Sequence, residues 1–250
     1  MFPGCGANRQ SPINIDTHRL VYQTFSLVLY NYQQSYDTNV ANNGDLAQVS
    51  FETTPTAGKP FVELSDTGDT RYILEHLQFH WGKQVDDGSE HSVDGKSAAA
   101  EIFFTHYNQD YGNTDEALFH PNGIVIMSVM ADISDNDNPN LKPLIDAVSR
   151  IAPFNTSIDI PADQSFYISS MLPDNKLAMY KYHGSITIPP CHESVTWIIF
   201  ENRISISTKQ LNTFRLMQWE FPIGNETHIL DNRRPIQPLT GRSVFSSKQH

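Results

Sequence analysis

The chain has 250 residues, 39% apolar and 11% aromatic, enough for a large core and within the range of one sizeable domain, spanning residues 1–250. Its 17 basic and 28 acidic residues give a net charge of −11, which repels nucleic-acid phosphates and makes anionic lipid and sulfated glycans poor partners. No uninterrupted apolar run reaches the roughly 18 residues of a membrane span, and Met1 to Asn8 carry no charged-then-apolar leader pattern.

In chain order, the first chemically distinctive residue is Cys5, whose only counterpart, Cys191, lies near the other end. Their spacing fits neither a metal nor a redox motif, and two buried free thiols are one reading of them. Aromatic and β-branched runs predict strands over 70–81, 99–107, 123–130 and 194–200. Alternation in the first places Leu74, His76, Gln78 and His80 on one side. Glu75, Leu77, Phe79 and Trp81 take the core side, so the His76, Gln78 and His80 side should face a cavity. In the second strand Glu101, Phe103, Thr105 and Tyr107 lie together, opposed by Ile102, Phe104 and His106.

The acidic stretch Asp132 to Asp137 lacks the glycine and terminal glutamate of a calcium loop and reads as a solvated turn. A helix is predicted over 141–150 from the stripe Leu141, Leu144, Ile145 and Val148, and a second over 208–219 with Thr208 as its cap. Asn155-Thr156-Ser157 and Asn225-Glu226-Thr227 are glycosylation sequons and lean towards export. No repeat or low-complexity linker interrupts a mostly β pattern.

Several motifs together carry a family resemblance. They are Gln10-Ser11-Pro12-Ile13-Asn14-Ile15, Gln78-Phe79-His80-Trp81-Gly82, Gly88-Ser89-Glu90-His91, Ala100-Glu101, Gly184 to Cys191, Val195-Thr196-Trp197 and Arg234-Pro235-Ile236-Gln237-Pro238. In order and spacing the chain resembles the secreted branch of the α-carbonic anhydrases over roughly residues 5–245. The resemblance implies a mainly β (α+β) fold: a large twisted sheet of about ten strands, short peripheral helices and a conical cleft. It also implies a Cys5–Cys191 disulfide, which should add about 4 kcal/mol or somewhat more in the chain-entropy model.

Active members of that family hold zinc with three histidines, leaving a fourth position for water whose pKa falls to about 7. The matching positions here are Gln78, His80 and Phe103. One neutral amide and one phenyl ring replace two ligands, so no metal cofactor and no carbonic anhydrase catalysis are expected. His76 lies about 13 Å from His80 along an extended strand, too far to share an ion with it. His91 and His106 match supporting positions, and Asp45 stands where a proton-shuttling histidine is expected.

Glu90 and Thr187 match the pair that orients zinc-bound hydroxide and should persist as a buried hydrogen-bond pair, while Glu101 matches the carboxylate behind the missing third ligand. The expected cleft wall is His76, Gln78, Phe103, Ile126, Ile186, Val195 and Trp197. Taken with the lost ligands, the resemblance implies an inactive, zinc-free extracellular relative. It would act through a protein partner or self-association, with a structural, storage or matrix role among the readings, and a small ligand in the cleft as a further one. The competing reading is a carbonic anhydrase of low residual activity.

Overall fold

A computed structural model describes residues 2–52 and 58–249. Among these, a mixed sheet of thirteen strands dominates. At its centre lie β1 (Arg71–Trp81), β2 (Ala100–Asn108) and β3 (Ile124–Ser134), followed by β5 (Val195–Phe200) and then β4 (Met179–Gly184). β1, β2 and β3 run antiparallel, whereas β3 and β5 pair in parallel. Beyond β1 come Ala47–Glu52, Asp37–Asn42 and the edge strand Thr156–Ile160. Beyond β4 come the two-residue strands Phe245–Ser246 and Val21–Tyr22. The main path has the expected ten strands, and Leu27–Tyr30, Phe61–Leu64 and Ile204–Ser207 pair beside it.

The central strands are buried on both faces, which is why their sequence is so continuously apolar: all nine residues of β2 are buried. One face carries Leu77, Phe79, Ile102, Phe104, Val125 and Met127 into the larger core cluster. The other carries Phe103, Tyr107, Ile126, Val195 and Trp197 into the second cluster, the side on which the cleft lies.

Strict alternation fails once. The register passes from Leu74 opposite His106 to His76 opposite Thr105, leaving Glu75 as an extra, exposed residue. This β-bulge inverts the sides before it. Leu74 therefore packs with Leu77 and Phe79 rather than beside His76, correcting the sequence expectation.

Three short α-helices decorate the sheet among the described residues: α1 (Thr114–Ala117), α2 (Lys142–Val148) and α3 (Thr208–Phe214). The stripe predicted for α2 is buried at Leu141, Leu144 and Val148. In α3 the cap is Ser207, not Thr208. Ser207 Oγ accepts from Gln210 N at 3.1 Å and Gln210 Oε1 accepts from Ser207 N at 3.2 Å, closing a capping box. The chain does not stay helical to Trp219; Gln218–Ile223 pairs with Glu226–His228 in a separate hairpin. Asp132 to Ser134 belong to β3 rather than to a turn, because β3 gains a parallel partner in Ile204–Ser207. No helix is long and apolar enough to cross a membrane among the described residues.

The predicted disulfide is formed, with the Cys5 and Cys191 Cα atoms 4.9 Å apart. It brings Gly4 so close to the opposite segment that a Cβ there would lie 2.6 Å from the Pro190 carbonyl oxygen, so only glycine fits. Arg234 completes the clasp, donating to Gln10 Oε1 at 2.9 Å, Ser11 O at 2.8 Å and Cys5 O at 2.9 Å. Three sequence motifs are thereby one structural unit.

Candidate functional site

The β1–β2 register sets Gln78 directly opposite Phe103 and His80 opposite Glu101, while Ser128 of β3 lies across from Phe103. Phe103 is 1% exposed, and its ring centroid lies 4.4 Å from that of His80 and 4.7 Å from that of Trp197. A phenyl ring this buried contributes about 1.5–3 kcal/mol to the core. His80 is sealed behind it at 1% exposure. The His80 Nδ1 stands 3.5 Å from Glu90 Oε1, too long for a good hydrogen bond, and neither ring nitrogen has a hydrogen-bond partner.

Orphaned imidazole nitrogens would suit a metal, but the donors around them do not. Zinc calls for three or four nitrogen, sulfur or carboxylate ligands at about 2 Å. Here a neutral amide and an apolar ring flank one imidazole, and no group of three or more His, Cys, Asp or Glu is placed to hold an ion among the described residues. These residues do not fit zinc.

Behind Phe103 lies a fully partnered polar network. Glu101 accepts from His91 N and from the His91 Nδ1 edge, each at 2.8 Å, and also from Ser128 Oγ. Burial alone would raise the Glu101 carboxyl, but the neighbouring His91 and these hydrogen bonds hold it below the usual carboxylate range. On the other side of the imidazole, His91 Nε2 meets Tyr182 Oη at 2.7 Å, and that hydroxyl donates to Ser11 Oγ at 2.8 Å. His106 is paired too, with Tyr32 Oη and with Val125 O at 3.2 Å. His91 and His106 thus hold the supporting roles the resemblance implied.

In front of Phe103 is a partly enclosed cavity of about 150 Å3. Five expected wall residues line it: His76, Gln78, Phe103, Ile126 and Ile186. Val195 and Trp197 do not. At 1% and 0% exposure they belong to the core behind, where the Trp197 Nε1–H donates to Ser185 O at 3.1 Å. Thr187 lines the cavity, but its expected bond to Glu90 is absent. Glu90 Oε1 instead accepts from Arg234 N at 2.8 Å, and Glu90 Oε2 has no partner.

Asp45 is exposed in its turn and forms no part of the wall. Burial pushes the His76 imidazole down to about 4, against a smaller upward pull from the Gln78 side chain, so it is neutral at physiological pH. Sequence reasoning missed Thr105, Thr114, Leu118, Ile124 and Ile188, which complete the wall. The signal for Thr105 was its place on the same strand face as Phe103, whereas nothing local marks Thr114, which arrives from α1.

Residues 1–248 match the eukaryotic-type carbonic anhydrase family. The chain is 35% identical to carbonic anhydrase 7 of Mus musculus, covering 100% of this chain and 92% of that protein. It is 33% identical to carbonic anhydrase 7 of Homo sapiens, with 99% and 91% covered. To carbonic anhydrase 1 of Oryctolagus cuniculus the identity is 35%, covering 96% of this chain and 99% of the relative.

Proposed function

Because the chain belongs to the eukaryotic-type carbonic anhydrase family, we propose that it is a member in which binding has replaced zinc chemistry. In this reading it is non-catalytic and zinc-free, and it works outside the cell through a protein partner or a second copy of itself. The observation that carries the reading is the direct cross-strand pair of Gln78 and Phe103, with the Phe103 ring packed on His80. Two ligand positions hold no zinc donor of useful strength, and the remaining imidazole is covered.

The extracellular part of the reading draws on the Cys5–Cys191 bridge, a kind of bond that persists in oxidising compartments. It also draws on Asn155 and Asn225, both exposed and able to carry sugar.

The test is metal analysis after incubation with zinc and removal of excess, followed by a CO2 hydration assay. The expected result is sub-stoichiometric zinc and background turnover. The double variant Gln78→His with Phe103→His should take up close to one zinc ion per chain. Stoichiometric zinc with turnover in the unmodified protein would overturn the proposal.

A further inference from the structure

We infer that a second groove, between the segments 87–97 and 231–236, is a docking site for a lysine side chain of a partner protein. The inference deepens the partner-binding reading by naming the chemistry of one contact. The groove has a volume of about 420 Å3, within the range of ligand sites, and shares no wall residue with the cavity in front of Phe103.

The first support is one unpaired atom. Glu90 lines the groove at 2% exposure; its Oε1 accepts from Arg234 N at 2.8 Å, and its Oε2 has no hydrogen-bond partner. His80 Nδ1, 3.5 Å from Oε1, does not supply one. A carboxylate oxygen only accepts, so a buried one without a partner calls for a donor, and a cationic donor makes the stronger bond.

The second support is charge. Three carboxyl groups, on Asp87, Glu90 and Asp231, share the wall with two guanidinium groups, on Arg233 and Arg234. Both guanidinium groups are already engaged. Arg233 donates to Asp231 from Nε at 2.9 Å and from Nη2 at 2.6 Å, and to Asp87 from Nη1. Arg234 donates to Gln10 Oε1, Ser11 O and Cys5 O. The groove therefore has acceptors to spare and suits a cation, and the net charge of −11 favours its approach.

The third support is shape. Pro235 and Ile236 give the groove an apolar strip, and Ile236 is 47% exposed. A lysine stem lies along such a strip while its ammonium group seeks charge. Glu90 offers one oxygen rather than two, which matches a point charge better than the two-pronged fork of arginine.

The experiment titrates the whole chain by NMR with four capped amino acids: the N-acetyl methylamides of lysine, norleucine, arginine and glutamate. The lysine derivative should bind at least about tenfold more tightly than norleucine, which has the same stem without the charge, equivalent to about 1.4 kcal/mol. Arginine should be weaker than lysine and glutamate weakest, and the shifted amides should fall within 87–97 and 231–236. Two variants, their folding checked by near-ultraviolet circular dichroism, probe the site. Glu90→Gln removes the charge, and Ser97→Phe fills the groove while leaving Glu90 in place. Each should reduce lysine affinity about tenfold; if Glu90→Gln fails to fold, Ser97→Phe decides. Absence of lysine binding, equal affinity for norleucine, arginine binding most tightly, shifts spread over the whole surface, or undiminished affinity in a folded variant would each overturn the assignment. Zinc found in the protein would defeat the zinc-free reading and leave this titration standing, because the two sites have no wall residue in common.

Discussion

The two sides of Phe103 treat their polar groups in opposite ways. Behind it, Glu101, His91, Tyr182 and Ser11 form an unbroken chain of hydrogen bonds. In the cleft wall, by contrast, Thr105 and Thr114 carry buried polar atoms without partners, as do His80 and Glu90 close by. An unpaired buried group costs about 1–3 kcal/mol, so the cleft stores a penalty that the scaffold behind it does not. Folding accounts for the first region and gives no account of the second.

This contrast predicts unequal responses to equally small changes. The largest effect is expected from His91→Leu, which takes the imidazole away from the buried Glu101 carboxylate and leaves it only the backbone N–H of residue 91 and Ser128 Oγ, and should cost about 3–5 kcal/mol in chemical denaturation. A loss below about 1 kcal/mol would mean that Ser128 and the backbone N–H of residue 91 satisfy Glu101 between them and that the network is weaker than its geometry.

The next effect is in acid. Burial holds His106 down to about 3 and His76 to about 4 in the folded chain, while both titrate near 6.5 when unfolded. Between those values the unfolded chain binds the extra protons. Stability should therefore be flat above about pH 6.5 and fall as pH drops below it, by at most about 1.4 kcal/mol per pH unit for each histidine. Denaturation midpoints measured from pH 7.5 to 4.5 check this, and a flat profile would show that neither imidazole is held neutral.

The smallest effect separates the two regions most sharply. His80→Leu removes two orphaned nitrogens and should leave stability unchanged or raise it by up to about 1 kcal/mol. A loss comparable to that of His91→Leu would place His80 in the scaffold and erase the contrast.

The sequence made much of this legible, because burial of the central strands on both faces leaves unmistakable apolar runs and the scattered motifs turn out to be joined by Arg234 and the disulfide. It failed where spacing alone could not carry the geometry. One inserted residue at Glu75 moved Leu74 to the opposite face. Ser207 and Thr208 are both capping residue types, serine somewhat the better, and the reach of Gln210 fixes the choice on Ser207. Phe103 and Trp197 share an apolar layer, but depth decides that the first walls the cavity and the second stands behind it. Thr114 meets Thr105 at the same cavity only because α1 folds back onto β2.

The outermost strand, Thr156–Ile160, bonds to the sheet through Asp37–Asn42 on one side and ends the strand order on the other. An open rim of this kind invites edge-to-edge addition of further chains, the first step of aggregation. Asn155, exposed and one residue ahead of the strand, would on glycosylation place a bulky hydrated branch beside that rim. Material made without the sugar should accordingly clump sooner on storage, so the choice of expression host would set shelf life as well as mass.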